Sequence, residues 1–349
     1  MLTRPVFGRQ PSPSLGIILV GLLCLTVIPE QSRGQAYCAL RDPVTTIYDA
    51  YPGADSFRSV VRTVDESVRG RVSQSVPFPI HFNELGRHTL YVATKESRPV
   101  GIIHVRSERG SWGLVEIAWA LDSELRIEGF TFQRCRSPQR GAIESPQFVD
   151  QLVGKGYRQL IEMLDDSGMV IAGDLGVDGP AKELAATVLR SAIKTILVTM
   201  HAWEEPLEVI QSMGQGYAAF PAASSFEKMD QVYSEEAIRQ IERHFGGHGT
   251  GTLVRNSALG YQFLDKNKKT VGHVFRTDWR SMEHQHTLWW TVTPDRTIRS
   301  ISADGGWLSD EVELSFSLLV GMSYDDVSTC STTSEAIAAE ILIVSNAHD

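Results

Sequence analysis

The pattern that most constrains this chain is a repeat. Four strand-like runs follow one another at His88–Thr94, Val100–Ser107, Gly113–Asp122 and Arg126–Arg134. Each is rich in Val, Ile, Trp or Phe and is bounded by Gly, Ser or charged residues. A second set, Gly260–Leu264, Thr270–Asp278, His286–Thr293 and Arg296–Ala303, mirrors the first. The turn Asp265-Lys266-Asn267-Lys268 parallels Lys95-Glu96-Ser97-Arg98, and Val271-Gly272-His273-Val274 parallels Val100-Gly101-Ile102-Ile103-His104-Val105. Self-similarity at so long a period predicts an internal duplication. The fold class expected is α+β, each copy being a twisted antiparallel sheet flanked by helices.

The remaining sequence is read around these two sets. With 349 residues, 42% of them hydrophobic and 21% charged, there is material for about two domains with cores of their own. A formal net charge of −9 and the lack of a basic stripe exclude nucleic acid as a partner. Arg4 and Arg9 precede an apolar run from Leu15 to Ile28, Pro29 ends it, and Gly34-Gln35-Ala36 offers the small residues a signal peptidase reads. Residues 1–36 are therefore expected to be a signal peptide or an N-terminal anchor. The run is short for a bilayer span, which needs about 20 residues, and no other stretch reads as long enough. Residues 37–204 are assigned to copy one, 205–250 to a helical linker, and 251–349 to copy two. Beyond the leader Cys38, Cys135 and Cys330 remain, enough for one disulfide and one free thiol in an oxidising compartment.

Near the C-terminus Asp325-Asp326-Val327-Ser328-Thr329-Cys330-Ser331-Thr332-Thr333-Ser334-Glu335 runs straight into an apolar, helix-like stretch. Small hydroxyl residues opening a helix gather free backbone N–H groups and the positive end of the helix dipole at one point, which suits a phosphate. Thr332 and Glu335 also have the spacing of a capping box, so the segment taken alone reads first as an ordinary helix start. In copy one, Arg136-Ser137-Pro138-Gln139-Arg140-Gly141-Ala142-Ile143-Glu144-Ser145-Pro146-Gln147-Phe148 follows the last strand, with Gly154-Lys155 beyond it.

These segments resemble the FMN-binding domain found in the C subunit of sodium-translocating NADH:quinone reductase and in the G subunit of the Rnf complex. That family's attachment motif runs Asp, two variable positions, Ser/Thr, Gly, Ala, Thr/Ser, one variable position, Thr/Ser, and its Thr hydroxyl carries FMN through a phosphoester. Asp325 and Ser328 match, Thr329 and Cys330 stand where Gly and Ala are usual, Ser331 takes the acceptor position, and Thr333 the Thr/Ser that follows. Residues 85–157 are similar to the family over the strand meander, the Glu-Thr-Pro-Gly-Leu-Gly loop and the Pro-x-Phe after it. Ser137 and Pro138 match loop positions, whereas Arg136 replaces Glu and Gln139 replaces Gly. In copy one Ala181 takes the acceptor position and has no hydroxyl to esterify.

The resemblance implies an FMN-binding electron-transfer protein, periplasmic or otherwise extracytoplasmic, associated with a membrane redox chain. It would be a carrier or subunit rather than a stand-alone enzyme. The residues implied for the cofactor are Asp325, Ser328, Ser331, Thr332 and Thr333, with ring contacts on the Arg136–Ala142 loop, where Ser137 and Pro138 match, and Arg136 or Arg140 to offset phosphate charge. Implied partners are membrane redox-complex subunits, and a flavin transferase where FMN is covalent. Departures from the motif in both copies leave open a flavin-free binding or scaffold module of the same fold. Trp112, Trp119, Trp289 and Trp290 read as core residues rather than flavin walls. No nucleophile–base set is recognisable, which argues against a secreted hydrolase.

Overall fold

The computed structural model describes residues 39–80, 84–171, 173, 175–232, 252–253, 257–280, 285–304 and 319–323. Helix α1 (Pro43–Ala50) opens the first half; Asp42 caps it, accepting from Thr45 N at 3.1 Å, and Pro43 supplies a first residue with no N–H to satisfy. Strands β1 (Ser56–Val64), β2 (Gly86–Lys95), β3 (Arg98–Gly110), β4 (Gly113–Leu121) and β5 (Ile127–Arg134) form an antiparallel sheet in chain order. Helix α2 (Glu66–Gln74) lies between β1 and β2 in sequence. Short helices α3 (Arg140–Ile143), α4 (Pro146–Val149) and α5 (Tyr157–Ile161) lead to the long α6 (Ala181–Ala202) and to α7 (Glu204–Ala219). Then come β6 (Ser225–Val232), β7 (Thr252–Leu253), β8 (Ser257–Leu264), β9 (Thr270–Arg280), β10 (Gln285–Val292) and β11 (Ile298–Asp304). They make a second antiparallel sheet in the order β11-β10-β9-β8-β6, with β7 paired to β9.

The two sheets share register as well as order. Leu90 pairs with His104 as Gly260 does with Phe275, and His104 with Trp119 as Phe275 does with Trp290. Trp119 pairs with Phe130 and Trp290 with Ile301; Phe57 pairs with Ala93 and Phe226 with Phe263. The joints ahead of the first strands coincide too. Tyr51 ends α1 at φ −127°, ψ 75°, and Phe220 ends α7 at φ −124°, ψ 73°. Ala54 N donates to Tyr51 O and Ala223 N to Phe220 O, both at 2.9 Å. Each ring lies across a glycine of its sheet: a Cβ on Gly101 would stand 2.1 Å from the Tyr51 ring, and one on Gly272 2.1 Å from the Phe220 ring.

Residues 205–250, expected as a helical linker, therefore divide differently in their described part. Helix α7 is the counterpart of α1, and β6 is an edge strand of the second sheet. Its sequence, Ser-Phe-Glu-Lys-Met-Asp-Gln-Val, carries too much charge to look like a strand. An edge strand, hydrogen-bonded on one side only, tolerates that charge and is protected by it from pairing with other chains.

Alternation along the strands builds a core on each face of the first sheet. In the first sheet Leu90, Val92, Ile102, Ile117 and Trp119 pack with α6, while Tyr91, Ala93, Ile103, Val105 and Ala118 pack with Leu40, Ile47 and Tyr51. Helix α6 is buried along most of its length, with Ser191, Lys194, Thr195 and Thr199 enclosed beside its apolar residues. It is long and apolar enough to cross a membrane, contrary to the expectation for stretches beyond the leader, yet 83% of its apolar window is buried inside the molecule. Helix α7 serves both halves. Leu207 and Ile210 join the α6-side core of the first sheet, whereas Tyr217 packs with Phe220 and Phe263 in the core of the second sheet. Glu208 bridges to Arg276 of β9 at 3.2 Å.

Candidate functional site

Three segments distant in sequence meet at a cleft of about 240 Å³. The β3–β4 hairpin contributes Gly110, Ser111, Trp112 and Val115; the loop after β5 contributes Ser137, Pro138 and Gln139; the start of α6 contributes Pro180, Glu183, Leu184 and Thr187. The hairpin is tight because Gly110 pairs directly with Gly113, whose φ of +98° lies where residues with a Cβ are strained. Ser111 and Trp112 are thus held at the tip, and Trp112 remains 61% exposed. In the loop, Ser137 closes a turn: its Oγ accepts from Gln139 N at 3.2 Å and its carbonyl from Arg140 N at 3.2 Å.

The start of α6 has few donors to offer. Pro180 has no N–H, Ala181 N donates to Asp178 O and Lys182 N to Gly179 O, both at 3.2 Å. Glu183 stands in the first turn, its Oε2 accepting from Ser111 Oγ at 2.7 Å. Thr187 Oγ1 donates back to Glu183 O at 2.9 Å. The lining is thus apolar walls, hydroxyl and amide groups, and a single charge, the Glu183 carboxylate.

Of the residues expected at a flavin ring, Ser137 and Pro138 line the cleft. Arg136 is exposed and outside the lining. Arg140 is committed elsewhere: Nε and Nη2 donate to Glu144 Oε1 at 2.9 and 2.7 Å, a contact that holds its guanidinium charged. Asp325, Ser328, Ser331, Thr332 and Thr333 lie outside the described residues. Trp119, Trp289 and Trp290 are buried core residues, but Trp112 is not. Its flanks, Gly110-Ser111 and Gly113, carry the sequence signal of a hairpin tip, where a tryptophan has nothing to be buried under. Glu183 and Thr187 were legible only as helix residues.

About three turns along α6 from Glu183 lies a buried ionic cluster. Lys194 Nζ is 2.7 Å from Glu84 Oε1 and 2.5 Å from Glu108 Oε2, and Arg106 bridges to the other oxygen of Glu84. Two carboxylates thus face two cations. Next to them His88 Nε2 lies 2.9 Å from Glu84 O, His104 Nε2 3.4 Å from His88 Nδ1, and His104 Nδ1 2.8 Å from Thr199 Oγ1. Burial, with the Arg106 charge adding to it, lowers His88 to about 4; burial and then the neighbouring His88 push His104 well below the ordinary histidine value. The imidazoles are neutral members of a core network joining β2, β3 and α6, and none of these residues lines the cleft.

Among the described residues no group of three His, Cys, Asp or Glu side chains is placed to hold a metal ion. Cys135 is a half-buried free thiol, whereas Cys38 and Cys330 lie outside the described residues. Fold and cleft together define an α+β protein of two similarly built antiparallel sheets with a small, largely apolar cleft on the first. No protein-family model matches the chain, and no curated protein matches it.

Proposed function

We propose that this chain is an FMN-binding electron-transfer protein that works outside the cytoplasm beside a membrane redox chain. The observation that carries the reading is the make-up of the cleft. Ser137 and Pro138, which resemble the loop of the FMN-binding family, face the start of α6, where copy one holds its version of the attachment segment. The like register of the two sheets supports a second unit of the same plan, whose closing helix would begin at Ser328–Thr333. Ser331 Oγ is the acceptor for a phosphoester, with Asp325, Ser328, Thr332 and Thr333 completing the motif in sequence. The flavin supplies the electron chemistry, and the chain supplies the walls and the grip on the phosphate.

The test uses the full chain isolated from the extracytoplasmic fraction of cells that contain a flavin transferase. A flavin-fluorescent band should survive denaturing electrophoresis and vanish in Ser331→Ala. Flavin released on denaturation would replace the ester with non-covalent binding. Protein free of flavin in either form would overturn the reading. The result would then favour the scaffold alternative, which the hydroxyl-free start of α6 already suggests for copy one.

A further inference from the structure

We infer that the cleft of the first sheet takes a neutral planar heteroaromatic ring and turns its phosphate away. The inference rests on the flavin reading but concerns a different position from Ser331. Much of what a phosphate would need at α6 is missing or in use. Ala181 has no hydroxyl, Pro180 has no N–H, and the amides of Ala181 and Lys182 donate to Asp178 O and Gly179 O. The positive end of the helix dipole is answered by the chain's own Glu183. The nearby cations do not reverse this. Arg140 is paired with Glu144, Lys182 Nζ lies 3.8 Å from Asp178 Oδ1, Arg190 donates to Gly168 O at 2.9 Å and to Thr187 Oγ1 at 3.3 Å, and neither Arg136 nor Lys182 belongs to the lining.

What the cleft retains suits a ring. Trp112 offers an exposed indole face, with Val115, Pro138, Pro180 and Leu184 as further apolar wall. The hydroxyls of Ser111 and Ser137 and the amide of Gln139 supply edge contacts for ring nitrogens and carbonyls. At about 240 Å³ the cleft falls below the range of roughly 300–1,000 Å³ usual for drug-sized ligands, so it fits a ring system without a long tail.

The test is a titration of full-length Ser331→Ala protein, freed of flavin, with lumiflavin and with FMN, read by flavin fluorescence and checked by equilibrium dialysis. Lumiflavin should bind at least tenfold more tightly than FMN. That preference, about 1.4 kcal/mol, is the size expected for a dianion facing one solvated carboxylate. Glu183→Gln should narrow the gap, and Trp112→Ala should weaken lumiflavin at least tenfold with an unchanged circular dichroism spectrum, since that side chain is exposed. Equal or tighter binding of FMN, failure of lumiflavin to bind, or indifference to Trp112→Ala would overturn the inference. The two proposals fail separately. Saturable lumiflavin binding by a chain isolated without flavin sinks the FMN reading alone, and a Ser331-dependent fluorescent band with no lumiflavin binding sinks this one alone.

Discussion

At Gly101 a single hydrogen atom decides how α1 seats on its sheet. The Tyr51 ring occupies the space a side chain would need, and its hydroxyl lies 2.8 Å from Leu121 O and 3.1 Å from Ile102 O. Gly272 stands in the same relation to Phe220. Gly101→Ala and Gly272→Ala should each destabilise the protein by about 1–3 kcal/mol through overpacking, measurable by urea unfolding. The pair Val100-Gly101 and Val271-Gly272 was legible in the sequence as a repeat. The aromatic partner was not, although Phe220-Pro221-Ala222-Ala223-Ser224-Ser225-Phe226 matches Tyr51-Pro52-Gly53-Ala54-Asp55-Ser56-Phe57 in aromatic, proline, alanine and serine positions. Contact between residues so far apart in sequence leaves no local signal.

Among the elements, β2 to β5 and β8 to β11 follow the runs read from composition, because these strands, the edge strands β5 and β11 included, carry apolar side chains to a core. The edge strands β1 and β6 carry no such signal: β1, with Arg58 and Arg62, is mostly exposed, and β6 is rich in charge. Helix α6 was legible as a helix, but not the ionic cluster that fastens it. Lys194 is fully buried between Glu84 and Glu108. Lys194→Met leaves two carboxylates without that cation and should cost about 3–5 kcal/mol in urea unfolding.

The adjacent histidines make the same layer sensitive to acid. His88 titrates near 4 in the folded chain and near 6.5 when unfolded. Above 6.5 it is neutral in both states and its contribution is intact. As pH falls from 6.5 toward 4 the unfolded chain takes up the proton first, so stability falls, by up to about 3 kcal/mol for His88, with His104 adding in the same direction. Urea midpoints measured between pH 7 and 4.5 should decline, and His88→Asn should flatten that slope.

The molecule as a whole is two similar sheets that share α7. Because Leu207 and Ile210 belong to the first core while Tyr217 and Phe220 belong to the second, loosening either sheet uncovers the same helix. Native-state hydrogen exchange should therefore show central amides of β3 and β9 opening with free energies within about 1 kcal/mol of each other, as one cooperative unit. Two separate values differing by several kcal/mol would show independent domains.

The sharing also sets an order of events during synthesis. Trp203, Leu207 and Ile210 are among the last side chains needed to complete the first core, and they belong to the opening of the second unit. A nascent chain that has exposed every strand of the first sheet still lacks part of its filling. Closure of the earlier half must await the start of the later one, so the two halves are bound to each other from the moment they are made.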